Sequence, residues 1–190
     1  MDEESKKGAE AEKLIADFLS NKIFGHYVYL NPEKEPGKEI CDILIVFQDK
    51  AVVLQIKNKN LSKDDLYKDK DVTKNISQCR GAAKFLLDSD EELNLKNQAG
   101  REDKLNLSDI DMVYTLSVMH QDAEFFGFYD DDKKQKVHTI NYASLEKVFG
   151  QLRTLPEFFR YLDDKESFLD SNKSLIIDGG EEELYALWIR

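Results

Sequence analysis

Residues 39–59 read EICDILIVFQDKAVVLQIKNK, two apolar runs on either side of a short polar segment. The runs Ile40–Phe47 and Ala51–Ile56 are rich in Ile, Val and Leu, and each is short for a helix. They predict two adjacent β-strands joined by a tight turn, a β-hairpin. The rest of the chain is interpreted outward from this hairpin.

Three polar side chains, Asp42, Gln55 and Lys57, interrupt the apolar runs. Gln55 and Lys57 share a face because side chains alternate along a strand. A loop of two residues (49–50) or four (48–51) would place Asp42 opposite Lys57, and paired residues point to the same side of a sheet. Polar groups gathered on a buried sheet cost several kcal/mol if they lack partners. We therefore expect a functional site here.

Composition indicates one globular domain of α/β size. The chain has 190 residues, of which 41% are hydrophobic and 34% charged. No apolar run approaches the length of a membrane span, and the acidic start MDEESKKGAEAE is unlike a signal peptide. The two cysteines lack metal-like spacing, so a cytoplasmic protein with reduced thiols is expected. The three scattered histidines do not suggest a zinc site.

Charge is distributed unevenly along the chain. The net charge is −11, yet residues 50–87 hold nine basic and four acidic residues, which leaves that segment at +5 and the remainder at −16. The segment could contact phosphates while the rest of the protein repels them. A solvated lysine-rich loop and helix is an equally good interpretation.

Regular elements are predicted on both sides of the hairpin. Ser5–Lys22 has apolar residues at helical spacing, with Glu12 on the edge of the apolar stripe. A strand is expected within residues 23–30, a loop at 31–37 and a second helix at 72–87. Residues 88–109 look like an exposed excursion, and further strands are expected at 111–120, 124–129 and 137–140.

The C-terminal part predicts helices and a terminal strand pair. Asn141 should cap a helix to Phe149, and Thr154-Leu155-Pro156-Glu157 should open another to about Leu169. Strands are expected at 174–177 and 183–190. We expect a domain over residues 1–140 and an extension over 141–190, which could continue into further domains. The phenylalanine-rich runs EFFGFY and LPEFFRYL suggest core or homodimer contacts.

The order helix, strand, hairpin, helix, strand, together with these polar residues, resembles the PD-(D/E)XK or restriction-endonuclease-like nuclease superfamily. The matching residues are the helical glutamate Glu12 within the GxxxE of Gly8–Glu12, the strand aspartate Asp42, and the tripeptide Gln55-Ile56-Lys57. The resemblance covers about residues 5–120 and is closest to Mrr-type and Holliday-junction-resolvase-like branches, some of which have Q-x-K. Gln55 departs from the commoner carboxylate.

The resemblance implies a mixed central sheet flanked by helices and a Mg²⁺- or Mn²⁺-dependent DNA nuclease of a bacterial defence or restriction system. Metal ligands would be Asp42, Glu12, the Gln55 amide oxygen and the Ile56 carbonyl, while Lys57 would act on the attacking water or the phosphate. Glu39, of opposite parity to Asp42, is interpreted as structural. DNA contacts are expected at Lys59, Lys74, Gln78 and Arg80, although Gln78 and Arg80 could be plain surface residues. The alternative is a catalytically degenerate module for protein interaction or sensing within a larger protein.

Overall fold

A computed structural model describes residues 3–23, 25–58, 67–120, 126–129, 135–171, 185, 186 and 188. The helices are α1 (Glu3–Ile23), α2 (Asp69–Asp88), α3 (Tyr142–Phe149) and α4 (Leu155–Ser171). The strands are β1 (Val28–Leu30), β2 (Glu33–Glu35), β3 (Lys38–Glu39), β4 (Ile43–Phe47), β5 (Lys50–Lys57), β6 (Glu92–Lys96), β7 (Glu102–Asn106), β8 (Met112–Met119), β9 (Phe126–Tyr129) and β10 (Val137–Asn141). Short 3₁₀ turns cover Gly25–Tyr27 and Leu107–Asp109.

Six strands form a mixed central sheet in the order β1-β4-β5-β8-β10-β9. β1, β4 and β5 are antiparallel to one another, whereas β8 is parallel to β5 and β10 is parallel to β8. α2 lies between β5 and β8 in sequence, as the connection between parallel strands requires. The expected α/β class with helices around a mixed sheet is confirmed.

The hairpin forms, but its register differs from the predicted one by two residues. Ile43 pairs with Leu54 and Phe47 pairs with Lys50, so the loop is Gln48-Asp49. Continued by one step, this register puts Asp42 opposite Gln55, and the predicted pairing with Lys57 is wrong. A shift of two residues preserves the face of every side chain, so the expected shared face survives.

Each face of the sheet has its own core. On one face, β4 and β5 residues such as Ile43, Ile45 and Leu54 pack with Ile15 of α1 and Phe158 of α4. On the other face, a second set packs under α2: Leu44, Val46, Val53, Ala83 and Leu86. The near-continuous apolar runs of β4 and β5 follow from this burial on both sides.

Two predicted irregular segments contain strands. Residues 88–109, expected to be an exposed excursion, form the β6–β7 hairpin, whose Leu93 and Leu95 are buried in the core beneath α2. The predicted loop after Asn31 contains the small β2–β3 hairpin, which turns at Gly37 with φ 77°. Both segments are polar and contain few apolar residues, so the alternation of apolar and polar residues that would predict a strand is weak.

The C-terminal helices pack directly on the sheet. Leu145 and Phe149 of α3, with Phe158 and Tyr161 of α4, belong to the same core as α1. The predicted caps are present: the Asn141 side chain accepts from the Ser144 N–H at 2.8 Å, and the Thr154 hydroxyl accepts from the Glu157 N–H at 3.2 Å.

The strand expected at residues 183–190 is not present in the described part of that segment. Of residues 183–190, Tyr185, Ala186 and Trp188 are described, and their backbone is helical rather than extended. The other strand expected at 174–177 lies outside the described residues. Within the described part of the chain, no helix combines the length and apolar character needed to cross a bilayer.

Candidate functional site

Asp42 lies immediately before β4 and uses its side chain to extend the β4–β5 ladder. Its carboxylate Oδ2 accepts the Ile56 N–H at 2.5 Å, while its backbone carbonyl accepts the Asn31 N–H at 2.8 Å on the β1 side. The carboxylate is therefore fixed in position at the edge where β4 and β5 begin to separate. The expected Ile56 contribution was its carbonyl; the contact observed is through its N–H.

Gln55 provides the second polar group at this edge. Its side chain is only 5% exposed, and one terminal atom of its amide lies 3.2 Å from both carboxylate oxygens of Asp42. An amide nitrogen at this position donates to the carboxylate. An amide oxygen there would face two other oxygens, an arrangement that requires a proton or a cation between them.

Glu12 reaches the site from α1 through Asn31. The Asn31 side-chain amide donates to Glu12 Oε2 at 3.3 Å, and the same residue's backbone N–H binds the Asp42 carbonyl. Asn31 adopts φ 48°, a conformation that asparagine tolerates better than most residues. Asn31 is not among the predicted site residues, and the only sequence signal for it is an asparagine that precedes a proline at the end of a strand.

Burial raises the pKa of Asp42 from 3.8 to about 7. The Ile56 N–H lowers this pKa, the carboxylates of Glu12 and Glu39 raise it further, and Lys57 lowers it least of all. The pKa of Glu12 is also raised, chiefly by burial, against the hydrogen bond from Asn31 and with a smaller contribution from Glu39. The carboxyl groups of Asp42 and Glu12, on which the nuclease interpretation depends, are thus only weakly compensated by positive charge.

Lys57 is two residues beyond Gln55 on the same strand face and is half-buried. Its ammonium acts on Asp42 electrostatically, as the expected shared face requires. The structure therefore brings Asp42, Gln55 and Lys57 to one side of the β4–β5 edge, with Glu12 close enough to raise the pKa of Asp42.

A cleft of about 350 Å³ opens over Asp42 and Gln55 between the β2–β3 hairpin and α2. Glu39, interpreted as structural from its parity, lines this cleft because β3 ends before β4 begins and the chain bends between them. Lys34, Gly81 and Phe85, which are not among the predicted site residues, also line the cleft. The remaining lining residues are Ile40, Cys41, Gln78 and Ala82.

Three of the expected DNA-contacting residues are described, and they lie on two flanks of α2. Gln78 lines the cleft, and exposed Lys74 lies one helical turn before it on α2. Arg80 is on the opposite flank of α2, where its Nε donates to the Gln135 carbonyl at 3.2 Å, near the start of β10. The expected DNA contact of Arg80 therefore stays a prediction, on a flank of α2 separate from Gln78. Lys59 lies outside the described residues.

Behind the site, a row of polar side chains crosses four strands beneath α2. The pairings place Gln55 beside Ser117 and Ser117 beside Thr139, with Asp42 one strand further out. Asn75 of α2, which is fully buried, donates to the Gln55 carbonyl at 2.9 Å and to the Ser117 hydroxyl at 2.8 Å. Asn75 thereby holds the backbone of β5 at the residue that contacts Asp42.

The donor set suits a hard cation held by few protein ligands. Among the described residues, no three Asp, Glu, His or Cys side chains are close enough together to hold a metal ion by themselves. Mg²⁺ binds oxygen, keeps several waters and is commonly held by one or two carboxylates plus substrate phosphate. Asp42 and the nearby Glu12 carboxylate fit that description, and Gln55 would add its amide oxygen if its side chain turned from the orientation in which its nitrogen donates to Asp42.

Comparisons with known proteins add little to the fold. No protein-family model matches the sequence, and no curated protein sequence matches it. The structure is similar to a chain of a "Refined half-complex from tetradecameric assembly of Thermococcus gammatolerans McrB AAA+ hexamers with bound McrC", with a TM-score of 0.43 and 9% identity. The alignment covers 96% of this chain and 32% of that chain, so this chain spans about a third of that chain's length. A similarity of this extent assigns neither a family nor a function.

Proposed function

We propose that the chain is a metal-dependent nuclease domain with a restriction-endonuclease-like core that hydrolyses phosphodiester bonds in DNA. One observation carries the proposal: a terminal atom of the Gln55 amide lies 3.2 Å from both oxygens of the half-buried Asp42 carboxylate, whose pKa is about 7. Oxygen atoms that share one octahedral Mg²⁺ lie about 3 Å apart. With the Gln55 oxygen turned toward Asp42, the arrangement would therefore be close to that of two ligands of one cation.

The electrostatics of the site support the same proposal. Three carboxylates, Glu12, Glu39 and Asp42, influence one another, and Lys57 compensates them only weakly. A bound divalent cation would reverse this imbalance and restore the ionised form of Asp42 at neutral pH. A purely structural pair would gain more from an apolar replacement, because a buried uncompensated carboxylate destabilises the fold.

The residues have separate roles in the proposed hydrolysis. Asp42 and the Gln55 oxygen would hold Mg²⁺ or Mn²⁺, and Glu12 would bind it directly or through water. The cation, when bound, would neutralise phosphate oxygens and assist formation of hydroxide. Lys57 would orient the attacking water or stabilise the negative charge of the pentavalent phosphate. Asn31 and Asn75 would keep Glu12 and β5 in place.

The test is cleavage of end-labelled DNA with Mg²⁺ or Mn²⁺ by the wild type, Asp42→Ala and Lys57→Ala. We expect both variants to lose at least about a hundredfold in rate, which is the contribution of one positioned acid–base group. Lys84→Ala, exposed on α2, is the matched control for the loss of a lysine and should cleave as the wild type does. Equal residual cleavage by all four proteins would indicate a contaminating nuclease and contradict the proposal.

A second candidate function is a catalytically degenerate module that binds other proteins. It is favoured because the Asp42 carboxylate can have its hydrogen bonds supplied by the protein without a cation. The Ile56 N–H and a Gln55 amide nitrogen would supply three hydrogen bonds to its carboxylate. In that case Mn²⁺ should not bind. Calorimetric titration of the wild type with Mn²⁺ separates the two, since heat that is lost in Asp42→Ala supports the nuclease and no heat at all supports the module.

A further inference from the structure

The wall of the cleft above Asp42 contains a glycine that the described fold does not explain. Gly81 is in the interior of α2, where glycine is less favourable than alanine. A Cβ atom built on Gly81 meets no described atom within 4 Å. Gly81 is exposed and lines the cleft, so a methyl group there would extend into open space. Packing within the described chain therefore gives no reason for the missing side chain, whereas close approach of a ligand to the helix would.

The two ends of the cleft differ in chemistry. At its floor are the polar groups of Asp42 and Gln55, with Glu39 beside them. Along α2, the wall continues from Gln78 past Gly81 to the half-buried ring of Phe85. A ligand that fills the cleft would thus place a charged or metal-bound group at the floor and a flat, weakly polar group against the wall.

Lys34 supplies positive charge beside the aromatic ring. Its exposed side chain comes from the β2–β3 hairpin, and its ammonium lies 5.1 Å from the centre of the Phe85 ring. A cation–π contact at an exposed site is weak, so a stacking ligand can replace it. The ammonium would then be released to pair with an anionic group of that ligand.

We propose that this cleft binds one unpaired nucleotide of the nucleic-acid substrate, with its base on Phe85 and Gly81 and a phosphate beside Lys34. The inference rests on the proposed nuclease function and specifies its substrate as single-stranded or locally unpaired nucleic acid. The volume of about 350 Å³ is at the small end of ligand pockets and suits one such unit. Bases within a duplex are stacked in pairs and would have to be extruded to enter.

Gly81→Ala gives a sharp test because its effects on stability and on binding have opposite signs. The alanine should raise the midpoint of urea unfolding, since it favours the helix and meets no described atom. It should weaken binding of a fluorescent single-stranded oligonucleotide by about tenfold, measured by anisotropy with Ca²⁺ in place of Mg²⁺. Phe85→Leu, which keeps an apolar side chain but removes the stacking surface, should weaken binding by a similar factor, the size expected for one lost base–aromatic contact.

Thr73→Ala is the matched control. It makes a similar helix-favouring change at an exposed position of α2 that does not line the cleft, and it should bind as the wild type does. Wild type should also bind the single strand more tightly than the same sequence in a hairpin duplex, and equal or tighter binding of the duplex would contradict a site for an unpaired nucleotide.

Two outcomes would overturn the inference, and they differ. If Gly81→Ala and Phe85→Leu bind the single strand as tightly as Thr73→Ala, while Asp42→Ala still abolishes cleavage, the nucleotide site is wrong and the nuclease proposal stands. If Asp42→Ala cleaves as fast as the wild type, or the wild type binds no nucleic acid, both proposals fail together.

Discussion

At the scale of single residues, the half-buried carboxyl of Asp42 should make stability depend on pH. Its pKa is about 7 in the fold against 3.8 ordinarily. Between these values the folded chain binds more protons than the unfolded one, so the free energy of unfolding falls as pH rises. From pH 5 to 8 the wild type should lose about 2–3 kcal/mol more than Asp42→Asn does, at about 1.4 kcal/mol per unit.

Urea unfolding of both proteins at the two pH values measures this difference. The asparagine oxygen can still accept the Ile56 N–H, so the variant removes the titration and retains the hydrogen bond. Asp17→Asn, which changes an exposed carboxylate on α1, is the control and should follow the wild type. A constant difference between wild type and Asp42→Asn across this pH range would show that Asp42 is ionised throughout.

Gln55→Glu should convert the site to one that binds cations more tightly. A second carboxylate at coordination distance adds more than 1.4 kcal/mol of attraction at an effective dielectric of about 20, so Mn²⁺ affinity should rise at least about tenfold. Without metal, the new carboxylate and Asp42 would repel each other, and the variant should be less stable than the wild type at pH 8.

Calorimetry with Mn²⁺ and urea unfolding with a chelator test the two parts of this prediction. Gln78→Glu makes the same change of charge on the cleft wall without contact with Asp42, and it should change the affinity much less. If both variants bind Mn²⁺ equally, a general increase in negative charge explains the effect and Gln55 is not a ligand.

Residue patterns predicted only part of the site. Asp42, Gln55 and Lys57 could be assigned because period two in adjacent strands fixes which face each side chain occupies. Glu39 and Lys34 could not, because the chain bends between β3 and β4 and parity does not carry across a bend. Asn31 could not be predicted for a different reason. Its role depends on contacts with Glu12 and Asp42, which are far apart in sequence.

At the scale of elements, the hairpin shows why a face can be predicted while a register cannot. Its loop lacks an Asn-Gly or Asp-Gly signal, and Gln48 adopts φ 57°, which is uncommon for a residue other than glycine. A loop at 48–49 and a loop at 49–50 give pairings that differ by two residues, and both keep the apolar side chains of the two strands on matching faces. The apolar pattern alone therefore does not distinguish these two pairings. The β6–β7 hairpin was missed because only Leu93 and Leu95 of β6 are buried and no residue of β7 is, so few apolar residues carry the period-two pattern in this polar segment.

The polar row beneath α2 predicts that one substitution will have opposite effects at two positions. Thr139 and Thr115 are both fully buried on the same face of neighbouring strands. The Thr115 hydroxyl donates to the Lys136 carbonyl at 2.5 Å, whereas that of Thr139 has no partner among the described residues. Thr139→Val should stabilise the fold by about 1 kcal/mol, and Thr115→Val should destabilise it by about 1–2 kcal/mol.

Equilibrium unfolding of the two valine variants checks this prediction, and each serves as the control for the other because the change in volume is the same. Destabilisation in both would mean that the Thr139 hydroxyl has a partner, such as a buried water shared with the Asn75 Oδ1 atom. Because Asn75 also holds β5 at Gln55, such a water would connect the core to the site.

At the scale of the whole molecule, the site depends on both cores. Glu12 belongs to α1 on one face of the sheet, while Gln78 and the cleft wall belong to α2 on the other, and Asp42 is at the edge between them. The strands that carry Asp42 and Gln55 are buried on both sides. A substitution that loosens the core on either face of the sheet should therefore move the carboxyl groups of Glu12 and Asp42 relative to each other. Cation binding should then weaken before the chain unfolds.

The division expected at residue 140 predicts that residues 1–140 fold alone, whereas the packing predicts that they do not. α3 and α4 bury Leu145, Val148, Phe149, Phe158, Tyr161 and Leu162 against the sheet and α1. Each such side chain contributes about 1.5–3 kcal/mol, so their joint loss is comparable to the whole stability of a domain, about 5–15 kcal/mol. A chain ending at Asn141 should therefore lack cooperative unfolding by circular dichroism. In the chain of 190 residues, Phe158→Ala should cost about 3–5 kcal/mol, whereas Leu14→Ala, at a position 48% exposed, should cost less than about 0.5 kcal/mol. A shortened chain with sharp, cooperative melting would instead establish the sheet, α1 and α2 as an independent domain.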